Sequence, residues 1–203
     1  MESIRGEMAK RSFDILFAVV GLTVTLPLLT IAAIFVKIGD GGSIFFQQTR
    51  VGRFGREFRM FKFRTMHEGA EERGLGITAG GDSRITAMGR LLRKTKIDEL
   101  PQLWNVLLGQ MSFVGPRPEI PRYVMLYSTE QLAVLNLLPG ITDEASIAFR
   151  NEESVLSDAD DIERRYIEYC IPTKIAINLE YAKHATVFKD MQVILRTIAC
   201  LFR

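Results

Sequence analysis

Apolar positions run almost without interruption from Phe13 to Val36, and only there does the chain lose all periodicity. At about 1.5 Å per residue this stretch reaches roughly 36 Å as a helix, enough to cross a hydrocarbon core of about 30 Å. Pro27 sits near its middle and lacks a backbone donor, so the sequence predicts a break or sharp kink there. Thr23 and Thr25 precede it and are placed to bond carbonyls that the proline frees. Arg5, Lys10 and Arg11 lie before the segment, and Lys37, Arg50 and Arg53 after it. Both flanks therefore favour the same membrane face. A straight span and a re-entrant helix-break-helix both remain open, and the charge pattern favours the second. We place this element at residues 1–38 and a separate body at 39–203.

The body reads as short elements. Ser43–Gln48 and Glu57–Met66 suit two strands joined by a tight turn over Val51–Arg56. The polar, glycine-rich run 68–81 suits a loop. Asp82–Lys96 suits a helix with Ile85, Met88, Leu91 and Leu92 inward. A second helix is expected from about Asp98 to Gly109. Leu100, Leu103, Trp104, Leu107 and Leu108 form its apolar face, and Pro101 is tolerated only in its first turn. Leu138–Thr142 reads as a turn. The acidic stretch Glu152–Glu163 leads into a helix whose stripe is Ile162, Tyr166, Ile167 and Cys170. From Val187 to Phe202 apolar residues recur at helical spacing, which suits either an interfacial helix or one packed in the core. The expected fold class is α+β and mostly helical: a Pro-broken membrane helix, a small β-hairpin and amphipathic interfacial helices around a cytosolic core.

Charge sharpens this picture. The chain has 203 residues and a net charge of +2, but Arg50, Arg53, Arg56, Arg59, Lys62 and Arg64 crowd one short region against Glu57 alone. Such a stripe suits an anionic partner. Aromatic residues interleave with it, yet no complete nucleic-acid fold is visible. Two cysteines and two histidines, far apart in sequence, argue against zinc chemistry and against a Ser-His triad.

The densest chemistry is at Asp98-Glu99, two adjacent carboxylates behind Arg90, Arg93, Lys94 and Lys96. That composition suits phosphate together with a divalent cation. It also suits a simple helix cap. Arg117, between Pro116 and Pro118, sits on a stiff extended backbone, which favours either bidentate phosphate binding or a structural turn.

These residues resemble a known family. KFRTM at 62–66, the run from Asp82 to Glu119 that contains DELPQ and VGPRPE, and PGIT at 139–142 are similar to the monotopic phosphoglycosyltransferases, bacterial sugar transferases, over nearly the whole chain. The resemblance implies transfer of a phosphosugar from a UDP-sugar to polyprenyl (undecaprenyl) phosphate, releasing UMP, at the cytoplasmic face of the bacterial inner membrane. This is the step that initiates a surface glycan. It implies Asp98 as a covalent nucleophile, Glu99 with Asp98 as ligands of Mg²⁺, and Lys62, Arg64, Arg93, Gln102, Asn105, Pro116, Arg117 and Pro118 around the substrates. Membrane lipid is the implied partner and nucleic acid is not; a homodimer is left open. The chain departs from the family at Gln110 and over Asp143–Glu152, a loop placed to meet the sugar or the nucleotide. The competing readings are a non-enzymatic adaptor on anionic lipid and a membrane-tethered nucleic-acid binder.

Overall fold

The computed structural model describes residues 4–70, 82–152, 156 and 161–201. Most of the expected loop 68–81 and part of the acidic stretch lie outside them.

One long helix, α1 (Ile4–Asp40), opens the chain and continues through Pro27 as 37 residues of unbroken helix. The expected break is therefore corrected. Thr23, Thr25 and Thr30 donate to the carbonyls of Val19, Gly21 and Leu26 at 2.7–2.9 Å. These hydroxyls bond back to the i−4 carbonyls of the turns around the proline, not to the Thr23 carbonyl that Pro27 leaves without a backbone donor. Among the described residues this is the one helix long and apolar enough to cross a membrane.

One face of α1 is held by the body along most of its length. Lys10 donates to the Val114 carbonyl and pairs with Asp190. Arg11 donates to the carbonyls of Val106 and Leu107 at 2.6 and 2.7 Å. Buried Asp14 accepts from Ser112 Oγ at 3.0 Å. Further along, Ala18 packs with Phe58, Met60, Val106 and Met111, while Ala32 and Val36 pack with Phe63 and Leu92. The opposite face leaves Leu16, Phe17, Val20, Val24, Ile31 and Phe35 exposed.

Strands β1 (Phe45–Val51) and β2 (Glu57–Phe63) form the hairpin in antiparallel register, Phe45 opposite Phe63 and Val51 opposite Glu57. The 3-10 turn Arg53–Gly55 between them places Phe54 and Gly55 at positive φ. Helix α2 (Ala87–Thr95) starts later than expected because Thr86 caps it, its hydroxyl accepting from Gly89 N at 2.9 Å. Gly89 lies so close to the chain after β2 that a Cβ there would sit 1.9 Å from the Thr65 carbonyl oxygen. Gly89→Ala is expected to cost about 3 kcal/mol of stability through this backbone clash, read as a lower melting temperature in detergent.

A left-handed residue, Lys96 (φ 58), ends α2 and turns the chain into a 3-10 turn over Ile97–Glu99. Helix α3 covers only Gln102–Leu107, with Pro101 preceding it. Asp98 is thus on the 3-10 turn, not at an α-helix start, and gains no row of helix N-terminal donors. The apolar face read from the sequence also splits. Leu103 is buried with Val106, whereas Trp104 and Leu108 are 52% and 54% exposed, facing away from the core.

Strand β3 (Ser112–Val114) pairs in parallel with β4 (Gly140–Thr142), so the PGIT segment is a strand as well as a turn. A Cβ on Gly140 would stand 2.1 Å from Gly115 N, so neither chain has room there for a side chain. Helix α4 (Pro121–Val124) and a 3-10 segment Gln131–Asn136 lie between these strands. Then come α5 (Glu144–Ala148), α6 (Ile162–Arg165), a π-helical turn (Tyr166–Cys170), α7 (Ile171–Ala182) and α8 (Val187–Leu201). Tyr123, Val134, Ile171 and Ile175 form a third core cluster under α4 and α7. α8 turns Asp190 and Val193 inward and leaves Phe188, Met191, Leu195 and Ile198 exposed as one apolar stripe.

Candidate active site

Asp98 and Glu99 are both buried, at 5% and 9% exposure, and they line a cavity of about 1670 Å³. The 3-10 turn sets them side by side, between α2 and the Lys62 end of β2. Glu99 Oε1 accepts from Lys62 Nζ at 3.1 Å and from Arg117 Nη2 at 2.5 Å; Arg117 Nη1 reaches Oε2 at 3.4 Å. Burial alone would raise the Glu99 pKa, but Arg117, Lys62 and Lys96 outweigh it and hold the carboxyl well below its usual range. Glu99 is therefore a fixed anion.

Asp98 has the opposite bias. Burial and the neighbouring Glu99 charge raise its pKa, against Lys62, Lys96 and Arg93. Among the described residues its Oδ1 is buried with no hydrogen-bond partner. A carboxylate oxygen in that condition is costly unless something binds it. Lys62 is pushed down to about 8 by burial, with Glu99 pulling it back up.

Arg117 is fixed from behind. Its backbone N–H donates to Asp143 Oδ2 at 3.0 Å, and Asn178 Nδ2 donates to the same oxygen at 2.8 Å. Asp143 also caps α5 through Ser146 N. The next two residues are held by Arg50, whose Nη1 donates to the Pro118 carbonyl at 3.0 Å and to Glu119 Oε1 at 3.3 Å. Tyr166 donates its hydroxyl to Glu119 Oε2.

The expected site residues divide accordingly. Lys62, Arg93, Asp98, Glu99, Pro116, Arg117 and Pro118 all line the cavity. Arg64, also buried, lines it as well and pairs with Glu68 at 3.1 Å. Asn105 is not brought to the wall. Its Nδ2 donates to the Arg59 carbonyl and to Gln110 Oε1, and its Oδ1 accepts from Phe61 N, so its amide is spent fastening β2 to α3. Gln102 is also fully buried away from the cavity wall. Sequence reasoning did not find the supporting roles of Asp143, Asn178, Glu119 and Tyr166. Arg50 was read as part of a single basic face, but that stripe divides: Arg50 is internal, Arg53 pairs with Glu7 at 2.9 Å, and only Arg56 and Arg59 stand free of the core in the solvent-exposed part of the hairpin.

A buried dyad, with one oxygen unpartnered among the described residues and the other carboxylate held by two cations, suits phosphoryl chemistry. Comparison with known proteins gives the same direction. A family model described as bacterial sugar transferase matches residues 5–203. The chain belongs to the bacterial sugar transferases. It is accordingly an enzyme, a phosphoglycosyltransferase, and the adaptor and nucleic-acid readings fall away. This bacterial sugar transferase is 35% identical over 215 residues to the exopolysaccharide production protein ExoY of Rhizobium meliloti, covering 98% of this chain and 88% of that one. It is 33% identical over 198 residues to the UDP-glucose:undecaprenyl-phosphate glucose-1-phosphate transferase of Caulobacter vibrioides, covering 96% and 70%. A UDP-N-acetylgalactosamine-undecaprenyl-phosphate N-acetylgalactosaminephosphotransferase of Aeromonas hydrophila is 35% identical over 192 residues, covering 93% of this chain and 42% of that longer protein.

Proposed function

We propose that this transferase moves a sugar phosphate from a UDP-sugar to a polyprenyl phosphate, releasing UMP, through a covalent intermediate on Asp98. The carrying observation is the buried Asp98 Oδ1, which has no hydrogen-bond partner among the described residues, at the wall of a cationic cavity. In the first step Asp98 Oδ1 attacks the phosphorus that bears the sugar. The bond from that phosphorus to the bridging oxygen breaks, and its electrons leave with UMP. In the second step an oxygen of the lipid phosphate attacks the same phosphorus and frees the Asp98 carboxylate. Arg117, Lys62 and Arg93 offset charge that moves onto the departing phosphate. Because burial raises the Asp98 pKa, donor binding has to leave it ionised; the surrounding cations favour that form.

The dyad fits Mg²⁺. Two adjacent carboxylates, one with an unpartnered oxygen, suit a cation that takes few protein ligands and completes its shell with substrate phosphates. Among the described residues no third His, Cys or carboxylate joins them. Glu99 and Asp98 would hold the ion, and it would neutralise the diphosphate. Glu99 can share its oxygens only by loosening Lys62 or Arg117.

Residues 1–38 form the membrane element in this reading, and 39–203 the catalytic body at the cytoplasmic face of the inner membrane. α1 is gripped by the body from Lys10 to Val36, roughly 39 Å of helix. A straight span would drag β2, α2 and α3 into the bilayer, so the unbroken α1 lies with its exposed apolar face in one leaflet and both of its ends on one side. Trp104 of α3, Leu108 just after it and the outer stripe of α8 lie against the same interface. The lipid phosphate then reaches Asp98 without its prenyl chain entering water, which would cost about 0.8 kcal/mol per CH₂. Cysteines placed at Met8 and Gly41 are both expected to react with an impermeant thiol reagent from the cytoplasmic side; reaction from opposite sides would establish a span.

Function is tested by UMP release from UDP-sugars with undecaprenyl phosphate and Mg²⁺. The rate is expected to fall above about pH 8, where Lys62 loses its proton and Glu99 one of its two counter-ions. Lys62→Arg, whose charge persists at high pH, is expected to remove that alkaline limb. Absence of UMP with every donor would contradict the reading.

A further inference from the structure

The same cavity has a second wall that the phosphoryl chemistry leaves unused. Phe149 and Glu152 follow α5, Tyr166 opens the π-helical turn, and Lys174 projects from α7; all four line the cavity. Lys174 Nζ pairs with Glu152 Oε1 and lies 5.5 Å from the Phe149 ring centroid and 5.4 Å from that of Tyr166. The two charged side chains remain 19% and 26% exposed, so each keeps a polar edge open. A partly exposed ion pair adds little to stability, and tethering a loop to a helix needs no aromatic walls. Tyr166 also starts a π-helical turn, a rare distortion frequent at functional sites.

The chemistry of this wall is a hydroxyl acceptor and a hydroxyl donor, with two aromatic rings that each turn one face to the Lys174 ammonium and position it. That set matches the ring hydroxyls of a pyranose. The wall is also tied to the reacting centre. Tyr166 bonds Glu119, Arg50 bonds Glu119 and the Pro118 carbonyl, and Arg117 beside them holds Glu99. The sugar is attached to the phosphorus that Asp98 attacks, so its ring has to lie next to the dyad, whereas the nucleoside lies beyond the leaving phosphate.

We propose that Phe149, Glu152, Tyr166 and Lys174 hold the hexose of the donor, with the Lys174–Glu152 pair reading its hydroxyl pattern. This rests on the donor being a UDP-sugar. A site that hydrogen-bonds a substrate hydroxyl discriminates strongly against an analogue that misplaces it, because its own polar groups are then left unpaired.

The test uses the full chain and UMP release with UDP-glucose, UDP-galactose, UDP-N-acetylglucosamine and UDP-N-acetylgalactosamine. Lys174→Gln, Glu152→Gln and the ion-pair-preserving Lys174→Arg are compared with the unaltered protein, and inhibition by UDP is measured alongside. The ratio of kcat/KM between the best donor and its epimer is expected to change at least about tenfold, with the inhibition constant of UDP moving less than about twofold. Lys174→Arg keeps charge and pairing, so its folding is not at issue, and it too is expected to reorder the donors. Two results overturn the proposal: all donors falling by one common factor in these variants, or a UDP inhibition constant rising in step, which would make the wall a nucleoside site. UMP from no donor with the unaltered protein would overturn the proposed function itself, and this inference with it.

Discussion

Asp98→Asn is expected to abolish turnover, by about 10³-fold or more, and to leave the fold intact or slightly more stable. The amide keeps the shape of the carboxyl but is no nucleophile toward phosphorus. Asp98 is 5% exposed beside Glu99, so its charge is a cost to the folded protein, seen in the raised pKa. Removing that charge relieves burial and like-charge repulsion together, and stability and activity move in opposite directions. UMP release and thermal unfolding on the same preparation check this. Turnover within tenfold of the unaltered enzyme would exclude Asp98 as the attacking group.

Glu99→Gln is expected to lower both quantities. Lys62, which is largely buried, and Arg117, which is partly exposed, each lose their carboxylate partner. Removing one member of a fully buried pair costs about 3–5 kcal/mol; Arg117 is 36% exposed and can turn to water, so the cost is expected at about 3 kcal/mol or less, most of it from Lys62. The loss of activity is expected at about 10²–10³-fold, the range for removing one preorganised charge. Its pH profile separates it from Asp98→Asn. Lys62, already pushed down to about 8, loses the main influence that holds it up, so its pKa falls further. Any residual activity of Glu99→Gln should therefore decline at a lower pH than in the unaltered enzyme. An unchanged alkaline limb would contradict the coupling of Lys62 to Glu99.

The Asp98-Glu99 pair and the Arg between two prolines stood out by residue type, but that left a helix cap and a structural turn open; the family resemblance carried the assignment, and the structure brings all three to one cavity. The hairpin and α2 were legible from period and turn residues. The continuity of α1 through Pro27 was not, because the propensity rule describes an isolated helix. Here one face is fixed by Lys10, Arg11 and Asp14 at one end and by Ala32 and Val36 at the other. The boundary at Asp98 was misread for a similar reason. Nothing in the local pattern announces that Lys96 takes a left-handed conformation and that the helix restarts after Pro101. The apolar stripe of α3 fails where it assumes water outside. Trp104 and Leu108 face outward and Gln102 and Asn105 inward, an inversion that suits a helix lying against lipid. Asp143, Glu119 and Arg50 were invisible because each acts over long sequence distances, Arg50 on Pro118 and Asp143 on Asn178, contacts that no periodicity encodes.

Mass measurement of the protein incubated with its donor and Mg²⁺, without the lipid acceptor, tests the central claim most directly. The account predicts a burst of UMP that matches the amount of enzyme. It predicts an added mass of one sugar phosphate on the peptide that contains Asp98, lost again when undecaprenyl phosphate is supplied. UMP released over many turnovers with the Asp98 peptide never gaining mass would contradict it.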